Sequence, residues 1–262
     1  MDSVLEEIEF LALSANRVDV LTTLAERPHT RQELEAVTGA SQPTLGRIIR
    51  DFTERHWIER QAGTYEATAT GRLVADGVSE LYDILETETT LRGIVEWLPT
   101  DALSFDLRHL KGATITVPSQ TRPSAPVGRV VDLIRQSTEV NVLSHAFNER
   151  TLEAVTHWVT AGGQFSGVFS ASAIEPVAED AVLARQLRTL LKAEGASIRI
   201  ADGAVPVAVT ITDDAVSLLL RDDTGRLQAS LDTESETVRS WATTTQQRYW
   251  EAARPLEASS LE

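Results

Sequence analysis

The 262-residue chain carries a formal charge of -15, from 24 basic and 39 acidic side chains, contains no cysteine and is 42% hydrophobic. That length and apolar content support a small domain and a second domain with its own core, and the missing cysteines exclude disulfides and thiolate metal sites. No apolar run approaches the roughly 18 residues of a membrane span and nothing resembles a signal peptide, so a cytoplasmic location and no membrane partner are expected.

Residues 1–15 set Val4, Leu5, Ile8, Leu11 and Ala12 along one side of an amphipathic helix that either packs on its own domain or joins a dimer. Val18, Leu21 and Leu24 mark a second helix, ended before Pro28. Thr30 with Glu33 three residues on is a capping box, so a third helix starts at Arg31, buries Leu34 and Val37, and ends at Gly39. Ser41 caps a fourth, with Pro43 in its first turn and Leu45, Ile48, Ile49 and Phe52 recurring as its buried face. Strand-like runs at 57–60 and 65–67 surround Gln61-Ala62-Gly63-Thr64, where Gly63 supplies the positive φ of a hairpin. Thr68-Ala69-Thr70-Gly71 then opens a helix through Leu73, Val74 and Val78, and a further helix is expected over 79–98, ended by Pro99.

The order helix, helix, helix, hairpin, helix resembles the winged-helix transcription regulators of the ArsR-like and TrmB-like kinds over residues 15–90. The resemblance is most specific in 30–52 and in the wing followed by Thr70-Gly71-Arg72. It implies double-stranded DNA as a partner. With the apolar face of the fourth helix inward, its exposed side carries Gln42, Pro43, Thr44, Gly46, Arg47 and Arg50, and Ser41 caps an N-terminus where a phosphate could sit. Gln42, Thr44 and Arg47 are the base-edge candidates, because an amide can bond adenine and a guanidinium guanine with two hydrogen bonds each. Arg50, Arg60 and the wing amides around Gly63 are better placed for the phosphate backbone. Arg55 and His56, near the helix end, read as structural.

The charge is unevenly spread. Between Arg27 and Arg72 seven arginines face six acids, a balance of +1, which leaves -16 on the rest of the chain. Lysine occurs only at Lys111 and Lys192. Abundant acid and scarce lysine on ordinary apolar periodicity resemble a halophilic proteome, where negative charge keeps chains hydrated. At molar salt the Debye length falls to about 3 Å, so acidic surface elsewhere repels DNA little.

Beyond Pro99 strands and helices alternate: strands at 113–117, 140–143, 164–169, near 197–200, and at 205–212, 216–221 and 227–231, with helices at 127–136, 149–161, 177–194 and 235–253. The fold class expected is α/β, α+β overall: an N-terminal winged helix-turn-helix over 1–78, a linker and dimerisation helix over 79–98, and an α/β sandwich with a mixed sheet over 99–262. Leu98-Pro99, the segment 107–110, Gly112-Ala113-Thr114, Pro123-Ser124-Ala125-Pro126 and the helix through Val130 and Ile134 resemble the sensor domain fused to winged helices in archaeal regulators. Together with the halophilic composition, the whole chain resembles a TrmB-type or TbsP-type regulator of halophilic archaea. That resemblance implies a homodimeric repressor or activator with a metabolite-sensing domain.

Open α/β sheets bind ligands beyond the carboxyl ends of their strands. That rule points to Ser144, His145 and Asn148 after one strand and Ser170 and Ser172 after the next, with Arg199 and Arg221 available to an anionic group. All of these also suit caps and loops, since Ser and Asn are the usual helix caps. TrmB-like sensor domains are related to the phospholipase D fold, whose active site uses H-x-K-x4-D. Counting back from Asp213 finds Pro206 and Ala208 at the His and Lys positions, and from Asp214 finds Val207 and Val209. No catalytic residue is therefore assigned. No cofactor motif appears, and His29, His56, His109, His145 and His157 lack metal-ligand spacing. The alternatives are a degenerate phospholipase D-like hydrolase, which the missing pair disfavours, and a protein-interaction adaptor with a vestigial winged helix, which Arg47 and Arg50 disfavour.

Overall fold

A computed structural model describes residues 3–261. Met1, Asp2 and Glu262, which fall within the expected 1–15 helix and 99–262 domain, lie outside the described residues. The chain divides into two compact units, Met1–Leu85 and Glu86–Glu262.

The first unit begins with α1 (Val4–Ala12), α2 (Ala15–Glu26), α3 (Arg31–Thr38) and α4 (Gln42–Glu54). The reciprocal capping box at Thr30 and Glu33 starts α3, and Gly39 at φ 69° ends it in the left-handed conformation that costs glycine least. Leu34, Leu45, Ile48, Ile49 and Phe52 are buried with Leu21 and Leu24, so the 3.6-residue period of the sequence becomes the contact face of the three-helix core. Val37, expected inside, is 61% exposed: it lies in the last turn of α3, next to the Gly39 stop. From α1 only Leu11 is buried. Its Phe10 joins Phe52 and Trp57 in an aromatic cluster with ring centroids 5.6 to 6.2 Å apart. The guanidinium groups of Arg17 and Arg55 lie 3.9 and 3.8 Å from the Phe10 ring centroid. Arg55 also bonds Glu7 at 2.8 Å, which fixes it as a structural side chain.

Strands β1 (Ile58–Gln61) and β2 (Thr64–Ala67) form an antiparallel hairpin in which Gln61 faces Thr64. Ala62 and Gly63 both take positive φ, 49° and 92°, as a type I′ turn requires. His29, 2% exposed, adds a third short rung by exchanging backbone bonds with Tyr65 at 2.9 and 2.8 Å. The wing is clamped at its base by the turn into α5 (Ala69–Leu91). The Thr68 hydroxyl donates to the His56 carbonyl at 2.7 Å and accepts from the Gly71 amide at 3.1 Å. A Cβ on Gly71 would fall 1.8 Å from the Trp57 carbonyl oxygen, so this crossing admits only glycine.

The expected helix over 79–98 is not a separate element. α5 runs without a break from Ala69 to Leu91, since Gly77 is tolerated inside it, and then gives way to short 3-10 turns at Val95–Trp97, Thr100–Ala102 and Leu107–Leu110.

The second unit is built on β3 (Thr114–Thr116), α6 (Ala125–Gln136), β4 (Glu139–Ser144), α7 (Glu149–Thr160), β5 (Gln164–Ser170), α8 (Ala171–Glu179), α9 (Ala181–Leu191), β6 (Ala196–Ala201), β7 (Ala208–Ile211), β8 (Val216–Arg221), β9 (Leu227–Thr233), α10 (Glu236–Ala252) and β10 (Arg254–Pro255). These strands form one eight-stranded sheet ordered β10-β6-β5-β4-β7-β8-β9-β3. The β4, β5 and β6 strands pair in parallel, linked by helical crossovers, and β7, β8, β9 and β3 pair antiparallel. It is the mixed sheet the alternation predicts.

Alternate residues of the strands enter opposite cores. Val140, Val142, Phe165 and Ile198 pack with α6, α7 and α9 through residues such as Ile134, Leu152 and Leu187. Val209, Leu218 and Leu231 pack with Val238 and Trp241 of α10. The single helix expected over 177–194 is two, because Pro176 lies in α8 and Asp180 then caps α9 by accepting from the Val182 and Leu183 amides at 2.8 and 3.0 Å. The strand expected over 205–212 is shorter, Ala208–Ile211, and β10 is an addition that periodicity could not reveal in two residues.

Candidate nucleic-acid interface

Helix α4 presents the residues expected at its surface. Ser41, Pro43, Arg47 and Arg50 are exposed, and Gln42, Thr44 and Gly46 are half-buried. Their readiness differs. The Gln42 amide donates to the Glu35 carboxylate, and the Gln42 carbonyl accepts from Arg31, which ties the start of α4 to α3. The Ser41 and Thr44 hydroxyls bond each other at 2.9 Å while Ser41 caps the Thr44 amide. Arg50 leans on Asp51 at 3.3 Å and Glu54 at 3.9 Å. Among the described residues no carboxylate lies within ion-pair reach of Arg47. On the wing, exposed Arg60 rests over the Tyr65 ring at 5.5 Å, and Gly63 stands exposed at the hairpin tip.

In the second unit the strand-end residues are largely occupied within the fold. Asn148 caps α7, its side-chain oxygen accepting from the Thr151 amide at 2.9 Å and hydroxyl at 3.1 Å. Ser144 is buried and closes a local turn, donating to the Ala146 carbonyl at 2.8 Å and accepting from its amide at 3.1 Å. Ser170 and Ser172 share a hydrogen bond of 3.0 Å. Arg199 donates through one nitrogen to the Trp250 carbonyl at 2.9 Å and lies 4.5 Å from the Trp250 ring centroid, so it ties β6 to the end of α10.

Arg221 and His145 are different. Arg221 donates to the Gly225 carbonyl at 2.7 Å, but its Nε and the His145 Nδ1 are buried without partners. Burial lowers the pKa of both. For His145 the Arg221 charge adds to that lowering, against a bond to the Val205 backbone. Arg221, Ser144, Asn148 and Thr210 border a cavity of about 30 Å³ whose wall also includes Phe147 and Phe169, their rings stacked at 4.4 Å. That is room for a water molecule. Asp213, the acid that anchored the H-x-K-x4-D count, accepts from the Thr138 amide and hydroxyl at 2.7 and 2.8 Å and from the Glu139 amide at 3.1 Å. The Thr138 bonds hold its carboxyl below the usual range. Among the described residues no group of three or more His, Asp or Glu is placed to hold a metal ion, and no helix is long and apolar enough to cross a membrane.

Two domain families match the chain. Residues 5–90 match the HVO_A0261 N-terminal domain, and residues 123–252 match the middle domain of the methanogenesis regulatory protein FilR1. The first match covers the winged helix and the second runs from the loop before α6 into the end of α10. No curated protein sequence matches the chain. Among solved structures, TrmBL2, described as an archaeal chromatin protein with a novel mode of DNA binding, is similar at 13% identity and a TM-score of 0.45, over 97% of this chain and 100% of that one. Nuc of Salmonella typhimurium, a phospholipase D family member, is similar at 13% identity and a TM-score of 0.44, over 55% of this chain and 99% of that one. NucT of Helicobacter pylori gives 14% identity and a TM-score of 0.44 over 55% and 98%.

Proposed function

We propose that this chain is a sequence-specific transcription regulator that places α4 in the major groove of double-stranded DNA and its β1–β2 wing against the backbone. The observation that carries the reading is a complete winged helix whose α4 surface holds Arg47 unpaired, beside Arg50, on an otherwise acidic chain. Family similarity on both sides of the chain, one of the families named as a regulatory protein, supports it. Gln42, Thr44 and Arg47 read base edges in this proposal, while Ser41, Arg50, Arg60 and Gly63 meet phosphates and Pro43, without an N–H to donate, lies on the same DNA-facing surface. Immunoprecipitation of the protein with its genomic DNA tests the reading: discrete sites sharing a sequence are expected, and uniform coverage contradicts it.

The regulator acts in the cytoplasm as a homodimer, since one recognition helix reads only a half-site and two are needed about a helical turn, roughly 34 Å, apart. Two apolar stripes support this: Val4, Leu5 and Ile8 on α1, and Leu81, Tyr82, Ile84 and Leu85 on α5, are exposed in the chain taken alone. Light scattering at high salt should give twice the chain mass, and a monomer at micromolar concentration contradicts the seam. The second unit senses a small metabolite and changes DNA affinity by its differential binding to the two states, commonly about 1 to 3 kcal/mol. Of the strand-end residues, Arg221 and His145 retain unused polar atoms, which a ligand larger than water reaches only if the fold opens there, whereas Ser144, Asn148, Ser170, Ser172 and Arg199 already make bonds within the fold.

A further inference from the structure

We propose a second ligand site, for a phosphorylated small metabolite, in the cleft between the 116–125 loop and the N-terminal half of α6. The cleft is open to solvent, has a volume of about 650 Å³ and is lined by Arg122, Arg129 and Arg150 together with the hydroxyl-bearing Thr116, Ser119 and Thr121. A volume of that size suits a metabolite, and ligand pockets commonly span about 300 to 1,000 Å³.

The arginines are placed in different ways. Arg129 donates through Nε to Asp232 at 2.6 Å, and Asp232, 4% exposed, also accepts from the buried Ser217 hydroxyl at 2.7 Å. A buried carboxylate thus holds the guanidinium by one nitrogen, and the outer nitrogens remain for a ligand. Among the described residues no carboxylate is within ion-pair reach of Arg122 or Arg150. The one acid lining the cleft, Asp132, faces Arg135 at 3.7 Å. On a chain of charge -15, unpaired arginines converging on a concave surface are a local inversion of charge. Guanidinium groups match phosphate oxygens with paired hydrogen bonds. The first turn of α6 opens on the same cleft without a side-chain cap from Ser124, which adds a weakly positive helix end.

Isothermal titration of the full chain with ribose 5-phosphate, inorganic phosphate, citrate and free ribose, at low and high salt, tests the proposal without reference to DNA. Ribose 5-phosphate should bind more tightly than inorganic phosphate, because the cleft is larger than the anion, and free ribose should not bind. Arg122→Ala and Arg150→Ala should each weaken binding about tenfold or more, the worth of a charge-assisted hydrogen bond. Both side chains are exposed, so circular dichroism should report an unchanged fold, and Arg185→Ala, an exposed arginine of α9 outside the cleft lining, should bind like the parent. No binding of ribose 5-phosphate in the millimolar range overturns the site. So does equal binding by inorganic phosphate, tighter binding by citrate, or an Arg122→Ala/Arg150→Ala double variant that binds as the parent does.

Discussion

In the first unit, the arginines expected to act stand on the surface of α4 and the wing, whereas in the second most of the polar groups expected to act are bound into the fold. Arg47 has no acidic partner among the described residues, while Asn148 caps a helix, Ser144 closes a turn and Arg199 holds α10. The two expectations rested on signals of unequal kind. On α4 the buried period fixes which residues face out, so exposure follows from geometry alone. After a strand, Ser and Asn serve a cap as readily as a ligand, and only three-dimensional bonding separates the uses.

The sharpest way to break the comparison is at the wing, where the surface is held in place by one glycine. Gly71→Ala forces a Cβ against the Trp57 carbonyl, and backbone cannot yield as a side chain does. Destabilisation of about 3 kcal/mol is expected, the upper range for overpacking. Gly77→Ala in the same helix meets nothing within 4 Å and should leave stability equal or raise it by up to about 1 kcal/mol, the helix preference for alanine. Urea titrations of the two variants check this, and equal midpoints would remove the clamp.

A smaller effect is expected from the second unit. Asn148→Ala should cost about 1 kcal/mol of stability through the lost α7 cap, and Asn148→Asp should restore most of it. If the alanine variant is as stable as the parent, the side chain is free for a ligand and the contrast between the units narrows.

The smallest effect concerns pH. Burial and Arg221 lower the His145 pKa, so the unfolded chain takes up its proton first as pH falls below the ordinary value near 6.5. Stability contributed by neutral His145 is therefore complete above that value and declines below it until the folded pKa is passed. Asp213, lowered by its Thr138 bonds, contributes stability that persists to lower pH and is lost only below the ordinary carboxylate value of 3.8. His145→Asn should flatten the upper part of the stability profile and leave the lower part in place. An unchanged upper slope would show that His145 is solvated.

Much of this architecture could be read from spacing. The capping box at Thr30, the glycine at 39, the apolar period of α4 and the Ala62-Gly63 turn are local, and each is found where the sequence places it. What spacing missed depends on contacts distant along the chain. The His29–Tyr65 rung joins residues 36 apart by number, 65 less 29, and carries no periodic signal. The fusion of α5 escaped because its apolar residues serve the first core up to Val78 and the second core from Leu91, which reads as two helices. The arginine cleft escaped for the same reason: Arg122, Arg129 and Arg150 come from a loop and two helices, and Asp232, which orients one of them, lies 103 residues away.

The central claim is that α4 reads DNA sequence, and the most direct test is selection of bound duplexes from a random library by the parent chain and by Arg47→Ala. The parent chain should enrich a single motif. The variant should show relaxed preference at one position of that motif and binding weaker by about 1 to 3 kcal/mol, the usual worth of a two-bond base contact. An identical motif bound with identical affinity, or no enrichment by the parent at all, would contradict the claim.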